Sequence, residues 1–257
     1  MMKKDVLKHI EEVKTMINLL MSHSSVRKYT DEPISDETLH ELVKAAQAAA
    51  SSHFVQAYSI IDVTDREKRE KLGELSRNPV QYNGAARALV FCADLKRLEY
   101  AVRKHGKEMV KDTTENFIVA VVDTALAAQN FVVAAESKGY GICYIGGVRN
   151  NPEKISELLE LPDHVIPLFG LTIGVPAKRN EVKPRLPVEA VLHTNTYDET
   201  KYDTLLDEYD DVFREYYRTR ATNQKVGSWT ENMADYLSAP RREYMKEFLQ
   251  SKGFMKR

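Results

Sequence analysis

The chain has 257 residues, 43% hydrophobic and 29% charged, with a net charge of −1. This is the balance of an ordinary globular protein with room for one sizeable core. It argues against a polyanionic partner such as nucleic acid, so any phosphate must be met by local clusters of Arg and Lys.

Val6, Ile10, Val13, Ile17 and Leu20 recur at helical spacing and predict a first helix from about Asp5 to Met21. Its scattered charges, among them Lys3, Lys4, Glu11 and Glu12, are wrong for a signal peptide. A polar connector, His23 to Thr30, follows. Ser35 is placed to cap a second helix with Asp36 and Glu37 in its first turn and Leu39, Leu42, Val43 and Ala46 on one face. Ser59–Thr64 reads as a strand, Asp65–Leu75 as a charged helix, and Ala88–Ala93 as a buried strand. Asn116–Lys138 is a long helix ended by Gly139. Asp123, Gln129 and Asn130 make it too polar for a membrane span, and its apolar residues go most of the way round. That circumference predicts burial on nearly all sides, partly by a second subunit. Tyr140–Val148 is a Gly-rich strand and turn, Pro152 opens a short helix ending near Pro162, and Ile166–Val175 is the last buried strand. Pro176–Pro187 is a basic, Pro-punctuated loop. From about Asp198 to Gly253 the chain reads as helical, charged and Tyr-rich, with an apolar stripe too narrow to fold alone. Cys92 and Cys143 lie in apolar runs and read as buried, inert thiols, with neither disulfide nor zinc spacing.

Four segments carry chemistry. In the extended connector, His23, Ser25 and Arg27 alternate to one side, which suits a phosphate or an electron-rich ring edge, or simply a solvated linker. Lys183 and Arg185 flank Pro184 and point the same way, as a phosphate grip or a basic surface loop. Gly146 and Gly147, after Tyr144 and Ile145, let a flat ligand approach the backbone, or make a tight turn. Ser51-Ser52 follows the Ala-rich end of the second helix and could equally be a solvated helix terminus.

In order along the chain, His23-Ser24-Ser25-Val26-Arg27, Thr30 to Ser35, Ser51-Ser52, Tyr144 to Asn151, Leu168-Phe169-Gly170-Leu171 and Lys183 to Pro187 resemble one family. It is that of the oxygen-insensitive (type A) NADPH-dependent nitroreductases and FMN reductases, and the likeness extends from about His23 to Phe254. It implies an α+β nitroreductase-like fold, with a mixed, mainly antiparallel sheet flanked by helices. Residues 1–197 would be the FMN-binding core. Residues 198–257 would be a helical extension of the same domain, packing on the core and on the partner of a homodimer.

The resemblance also implies a tightly held FMN at the dimer interface and NADPH as co-substrate. His23 and Ser25 would then contact the phosphate and ribityl end, Arg27 the pyrimidine edge, and Ser51 the phosphate side. Tyr144, Ile145, Gly146 and Gly147 would line the ring, with a backbone N–H at N(5). Lys183 and Arg185 would close on the phosphate. Relatives often place Gln two residues before Tyr ahead of the second strand. Here the segment reads Asn78-Pro79-Val80-Gln81-Tyr82, and Gln81 is the candidate ring contact. Arg220, in Tyr216-Tyr217-Arg218-Thr219-Arg220, would hold the extra phosphate of NADPH together with Lys225. Relatives often carry Arg at that second position, and Lys offers a point charge where Arg grips bidentately. Arg242 would stand at the substrate mouth. The implied activity is ping-pong two-electron transfer from NADPH to nitroaromatics, quinones or free flavin, in the cytoplasm, without a metal, membrane or nucleic acid. A flavin-binding sensor or store without turnover is the alternative. Retention of Arg220 and Lys225 argues against it, because a store needs no nicotinamide phosphate site.

Overall fold

The computed structural model describes residues 15–257. Much of the expected first helix therefore lies outside the described residues, and residues 15–21 are helical. The described residues fall into two compact units: 15–180 with 242–257, and 181–241.

In the first unit, four strands form one sheet: β1 (Tyr58–Asp62), β2 (Arg87–Asp94), β3 (Gly141–Ile145) and β4 (Val165–Gly174). Their order is β1-β2-β4-β3, and every neighbouring pair is antiparallel. The α+β class stands as expected, but among the described residues the sheet has no parallel pair. The helices of this unit are α1 (Asp36–Gln47), α2 (Arg66–Ser76), α3 (Pro79–Asn83), α4 (Lys96–Lys104), α5 (Thr114–Ser137) and α6 (Pro152–Leu158).

The alternation of β2 builds two cores. Leu89 and Phe91 face α1 and α5, meeting Leu42, Ala128 and Phe131. Ala88, Val90 and Cys92 face the other way, meeting Leu72 of α2, Tyr82 of α3 and Ile155 of α6. The sheet is thus covered on both faces, which explains why β2 reads as an unbroken apolar run. The expected strand boundaries hold to within two residues, whereas the helix opened by Pro152 ends at Leu158, short of Pro162. Ser35 caps α1 by accepting from the Thr38 N–H at 3.2 Å, and Asp65 caps α2 by accepting from that of Lys68 at 2.8 Å. Gly139 ends α5 at φ +87, where a side chain would be strained.

α5 departs from its sequence reading in one respect. By length and composition it could cross a membrane, despite its polar interruptions. Here it lies along the sheet, and the interruptions have specific partners. Asp123 is 1% exposed. It accepts from the Ser51 hydroxyl at 2.7 Å, the Ala57 N–H at 3.0 Å and the Ser52 N–H at 3.3 Å. The opposite face carries Ile118, Val122 and Leu126, 50%, 47% and 43% exposed. Burial on nearly all sides, as the sequence suggested, is therefore not achieved within one chain.

The C-terminal stretch is helical, as expected, in separate pieces. In the second unit α7 (Val188–Val191) precedes α8 (Tyr202–Thr219), and α9 (Trp229–Leu237) restarts at a Ser228–Glu231 capping box. Thr230 binds the buried Asp210 through its N–H, at 2.9 Å, and its hydroxyl, pinning α9 to α8. Beyond Pro240 the chain rejoins the first unit as α10 (Met245–Ser251). There Phe248, Leu249 and Phe254 are buried, and Phe254 meets Phe117 edge-on at 5.7 Å.

Two outcomes follow from this packing. Asp123→Ala strips three donors of their acceptor. At about 1 kcal/mol or more for each buried group left unpaired, it should cost roughly 3 kcal/mol. A fall in melting temperature of about 6–12 °C is expected for a chain of this size; a fall below about 2 °C would show the node to be dispensable. Cys92 is fully buried and Cys143 nearly so, and burial raises both thiols above their ordinary pKa. A thiol reagent should find no reactive cysteine in the native protein and both in denaturant; labelling of either in the native state contradicts this.

Candidate functional site

The connector from residue 23 to 30 is stitched to the ends of β3 and β4. The Val26 N–H donates to the Ile142 carbonyl at 2.8 Å, the Thr30 N–H to the Val175 carbonyl at 2.9 Å, and the Asn180 amide to the Ser25 carbonyl at 2.7 Å. Val26 is buried against Gly141, where a Cβ would come within 2.6 Å of it. With Val26 turned inward, its neighbours Ser25 and Arg27 face away, as the alternation requires. Ser25 is half-buried, and Arg27 is exposed with its charge reaching Cys143 of β3. His23 has a partner that sequence reasoning missed: its Nδ1 lies 2.7 Å from Oε1 of Glu136, whose side chain is 10% exposed. This fixes the ring and leaves Nε2 for another contact. A signal was available, because an acid in the last turn of a helix opposes the macrodipole and calls for a nearby donor.

Tyr144 ends an aromatic series across the sheet. Its ring meets Phe169 edge-on at 5.3 Å, Phe169 stacks on Phe91 at 5.6 Å, and Phe91 meets Phe131 of α5 at 5.9 Å. The Tyr144 ring is 36% exposed and its hydroxyl reaches Gln129 of α5 at a long 3.5 Å. Burial, with Glu136 nearby, raises this phenol's pKa, so it stays protonated. The next residues, Gly146–Asn150, form a 3-10 turn in which Val148 is buried, as is Ile145 just before it.

The two glycines of that turn differ. A Cβ at Gly147 would stand 2.1 Å from the Ser76 carbonyl and 2.5 Å from the Asn78 amide, so internal packing alone demands glycine there. At Gly146 the nearest atom would be in the side chain of Arg149, whose guanidinium, at 3.3 Å, also donates to the Leu168 carbonyl. Nothing rigid in the fold requires glycine at 146, which leaves that backbone open to a flat ligand.

Arg242 is brought to the same turn. Its guanidinium donates twice to the Asn150 carboxamide oxygen, at 2.8 and 3.1 Å, while the Tyr244 hydroxyl lies 2.9 Å from the carbonyls of both Arg149 and Asn150. Asn150 lay within the Tyr144 to Asn151 motif without an assigned role, and Tyr244 carried no sequence signal beyond ordinary polarity. Gln81 is half-buried in α3, and its neighbour Tyr82 is fully buried with an unpartnered hydroxyl close to Gly170. Ser51 serves the fold: it donates to Asp123 and accepts from the Gln56 N–H at 2.8 Å. With its proton so committed, its hydroxyl has none to offer a phosphate.

The remaining expected residues belong to the second unit. Lys183, Arg220 and Lys225 converge on one phenol ring, at 5.9, 5.3 and 6.0 Å from the centre of Tyr217. Arg220 also lies 5.3 Å from the Tyr216 ring. Arg185 is exposed, with its charge reaching Tyr209, whose hydroxyl donates to the Pro184 carbonyl at 2.9 Å. Arg220 Nε and the Tyr216 hydroxyl are buried without partners, so this cluster has donors to spare. Among the described residues no group of three or more His, Cys, Asp or Glu could hold a metal.

The geometry thus offers a cationic connector beside an aromatic strand end and an open glycine. The chain that carries it is similar to known proteins. Residues 20–175 match the model of the nitroreductase family, and residues 183–257 match that of the family's C-terminal domain. A Cr(VI) reductase of Pseudomonas sp. (strain G-1) is 61% identical, over 92% of this chain and 97% of that one. An FMN reductase (NADPH) of Bacillus subtilis (strain 168) is 42% identical, over 93% of this chain and 98% of that one. Among solved structures, the NfrA1 nitroreductase of B. subtilis superposes with a TM-score of 0.90 at 41% identity, covering 94% of this chain and 100% of that one. The NADPH:FMN oxidoreductase of Vibrio harveyi, complexed with NAD+, gives 0.86 at 37% identity, covering 94% and 99%. With matches of this extent over both segments, the chain belongs to the nitroreductase family.

Proposed function

We propose that the chain is an FMN-dependent oxidoreductase that takes electrons from NADPH and delivers them in pairs to small oxidants. The relatives named NADPH-dependent reductases support this class. The observation that carries it is Gly146, a glycine that the fold does not need, beside the half-exposed Tyr144 ring and at the end of β3 where the cationic connector is tied. Bound FMN supplies reversible acceptance of a hydride, and the protein supplies position and field.

Each residue's part follows from its chemistry. His23, held by Glu136, and Ser25 present donors for the phosphate and ribityl end. Arg27, exposed and unobstructed, places a positive charge at the pyrimidine edge and favours electron uptake there. Tyr144, Ile145, Gly146 and Gly147 offer a flat wall with a backbone N–H for N(5), and Gln81 a side-chain amide. Lys183 and Arg185 keep the phosphate role that the resemblance assigns. Ser51 acts through the turn that it anchors to Asp123. Arg220 and Lys225 select NADPH by its extra phosphate, and Arg242, braced by Asn150, faces the oxidant. Residues 1–197 are taken as the FMN-binding core and 198–257 as its helical extension. The working form is a cytoplasmic homodimer. Nitroaromatics, quinones and free flavin are the acceptor classes, and the 61% identical relative named for Cr(VI) adds an oxyanion to them.

The purified protein should be yellow and should bleach when NADPH is added under nitrogen; a colourless protein that refuses added FMN overturns the reading. Arg27→Ala should retain some flavin but slow its bleaching about tenfold or more, read by stopped flow. An unchanged rate would remove Arg27 from its role. Val122→Glu, in the exposed row of α5, should halve the mass measured by sedimentation and release flavin. A variant that keeps the wild-type mass would move the interface elsewhere.

A further inference from the structure

His23 Nδ1 lies 2.7 Å from Glu136 Oε1, joining the connector to the last turn of α5. The two side chains are 27% and 10% exposed. Among the described residues, His23 is the one hydrogen-bond partner of this carboxylate. A carboxylate oxygen only accepts, so Nδ1 carries the proton in this contact. On a neutral ring that leaves Nε2 bare, and a bare nitrogen meets a phosphate oxygen lone pair against lone pair. Nε2 donates to phosphate only when it holds a proton as well. The contact with Glu136 therefore makes His23 a phosphate ligand in one charge state, the imidazolium.

The charged groups around this end of α5 have fixed states. Lys138 is paired with Glu41 of α1 at 2.8 Å, and Arg179, beyond β4, donates to the Gly139 carbonyl at 2.8 Å. Arg27 of the connector is positive at any working pH. On β3, burial raises the pKa of Tyr144, with the Glu136 charge adding to it, and raises that of Cys143 against the opposing charge of Arg27. Phenol and thiol thus keep their protons, and imidazole is the side chain here that changes charge near neutral pH.

We infer that Glu136 is a positioning residue that couples capture of the cofactor phosphate to uptake of a proton: it holds the Nδ1–H of His23, so that the phosphate is gripped by the Nε2–H of an imidazolium. This rests on the proposed FMN-dependent function and extends it by naming what sets the charge of a phosphate ligand. The proton comes from solvent and returns to it when the phosphate leaves, and no covalent bond of the flavin changes. Since the loaded state holds more protons than the free one, affinity for a phosphorylated flavin falls as pH rises. Discrimination between FMN and riboflavin, which lacks the phosphate, is thereby assigned in part to a residue outside the connector.

The full chain, stripped of flavin, is titrated with FMN and with riboflavin between pH 7 and pH 9, where a phosphate monoester is already a dianion. Binding is read from flavin fluorescence. The Kd for FMN should rise about tenfold over this span while that for riboflavin stays within about twofold. Calorimetry at pH 8 in two buffers of different ionisation enthalpy should show a fraction of a proton, up to one, taken up with FMN and none with riboflavin. Glu136→Gln should weaken FMN about tenfold at pH 7 and leave riboflavin within about twofold. It should also flatten the pH dependence, because a carboxamide can donate to Nδ1 and let a neutral ring present Nε2–H. His23→Gln should flatten it too, and carries the test if Glu136→Gln fails to fold. An FMN affinity that is equal at pH 7 and pH 9, or binding of FMN without proton uptake, overturns the inference. Equal losses of FMN and riboflavin in Glu136→Gln would make Glu136 a support of the fold alone and overturn its part. A chain that binds neither flavin fails at the parent reading.

Discussion

Three polar side chains on one apolar helix organise the first unit. Asp123, Gln129 and Glu136 reach out from α5 to Ser51, Tyr144 and His23 respectively. Asp123 and Glu136 are the tighter ties, and both carboxylates are largely buried. A buried carboxylate without donors would be expensive, so each dictates where a connector must run. The helix can serve in this way because its other contacts are apolar and indifferent to register. The turn after α1 is fixed by Asp123, and the connector before α1 by Glu136. A long helix that supports a sheet thereby also sets the positions from which a ligand is approached.

Much of this architecture was legible in the sequence. Ser35, Asp65, Gly139 and Pro152 marked helix ends because capping and chain breaking are local effects, decided within a few residues. β2 was legible because both of its faces are covered, which makes the apolar run continuous. The long helix was legible in extent but not in surroundings. Its residues go round the axis, yet one chain covers one side and leaves Ile118, Val122 and Leu126 in the open. What covers a face lies outside the local pattern. The tail was legible as helical, but not in its divisions at Ser228 and Pro240 or in the return of Phe248 and Phe254 to the first core.

The candidate site was legible in part, and unevenly. Alternation in the connector correctly set Val26 against its neighbours, because period-two geometry holds wherever backbone is extended. Roles that depend on long-range partners were not accessible. Ser51 looks like any hydroxyl at a helix end until its proton is traced to Asp123, seventy-two positions away. Lys183 and Lys225 are far apart in sequence and meet only around Tyr217. The doublet Gly146-Gly147 suggested one purpose for two residues, and the fold separates them.

That separation bears on how the protein can be altered. Position 147 is locked between the Ser76 carbonyl and the Asn78 amide, so no larger residue fits without rebuilding the end of α2. Position 146 meets a side chain, the Arg149 guanidinium that donates to the Leu168 carbonyl. A methyl group added at 146 would therefore press on a side chain, whereas one added at 147 would collide with the backbone of the scaffold itself.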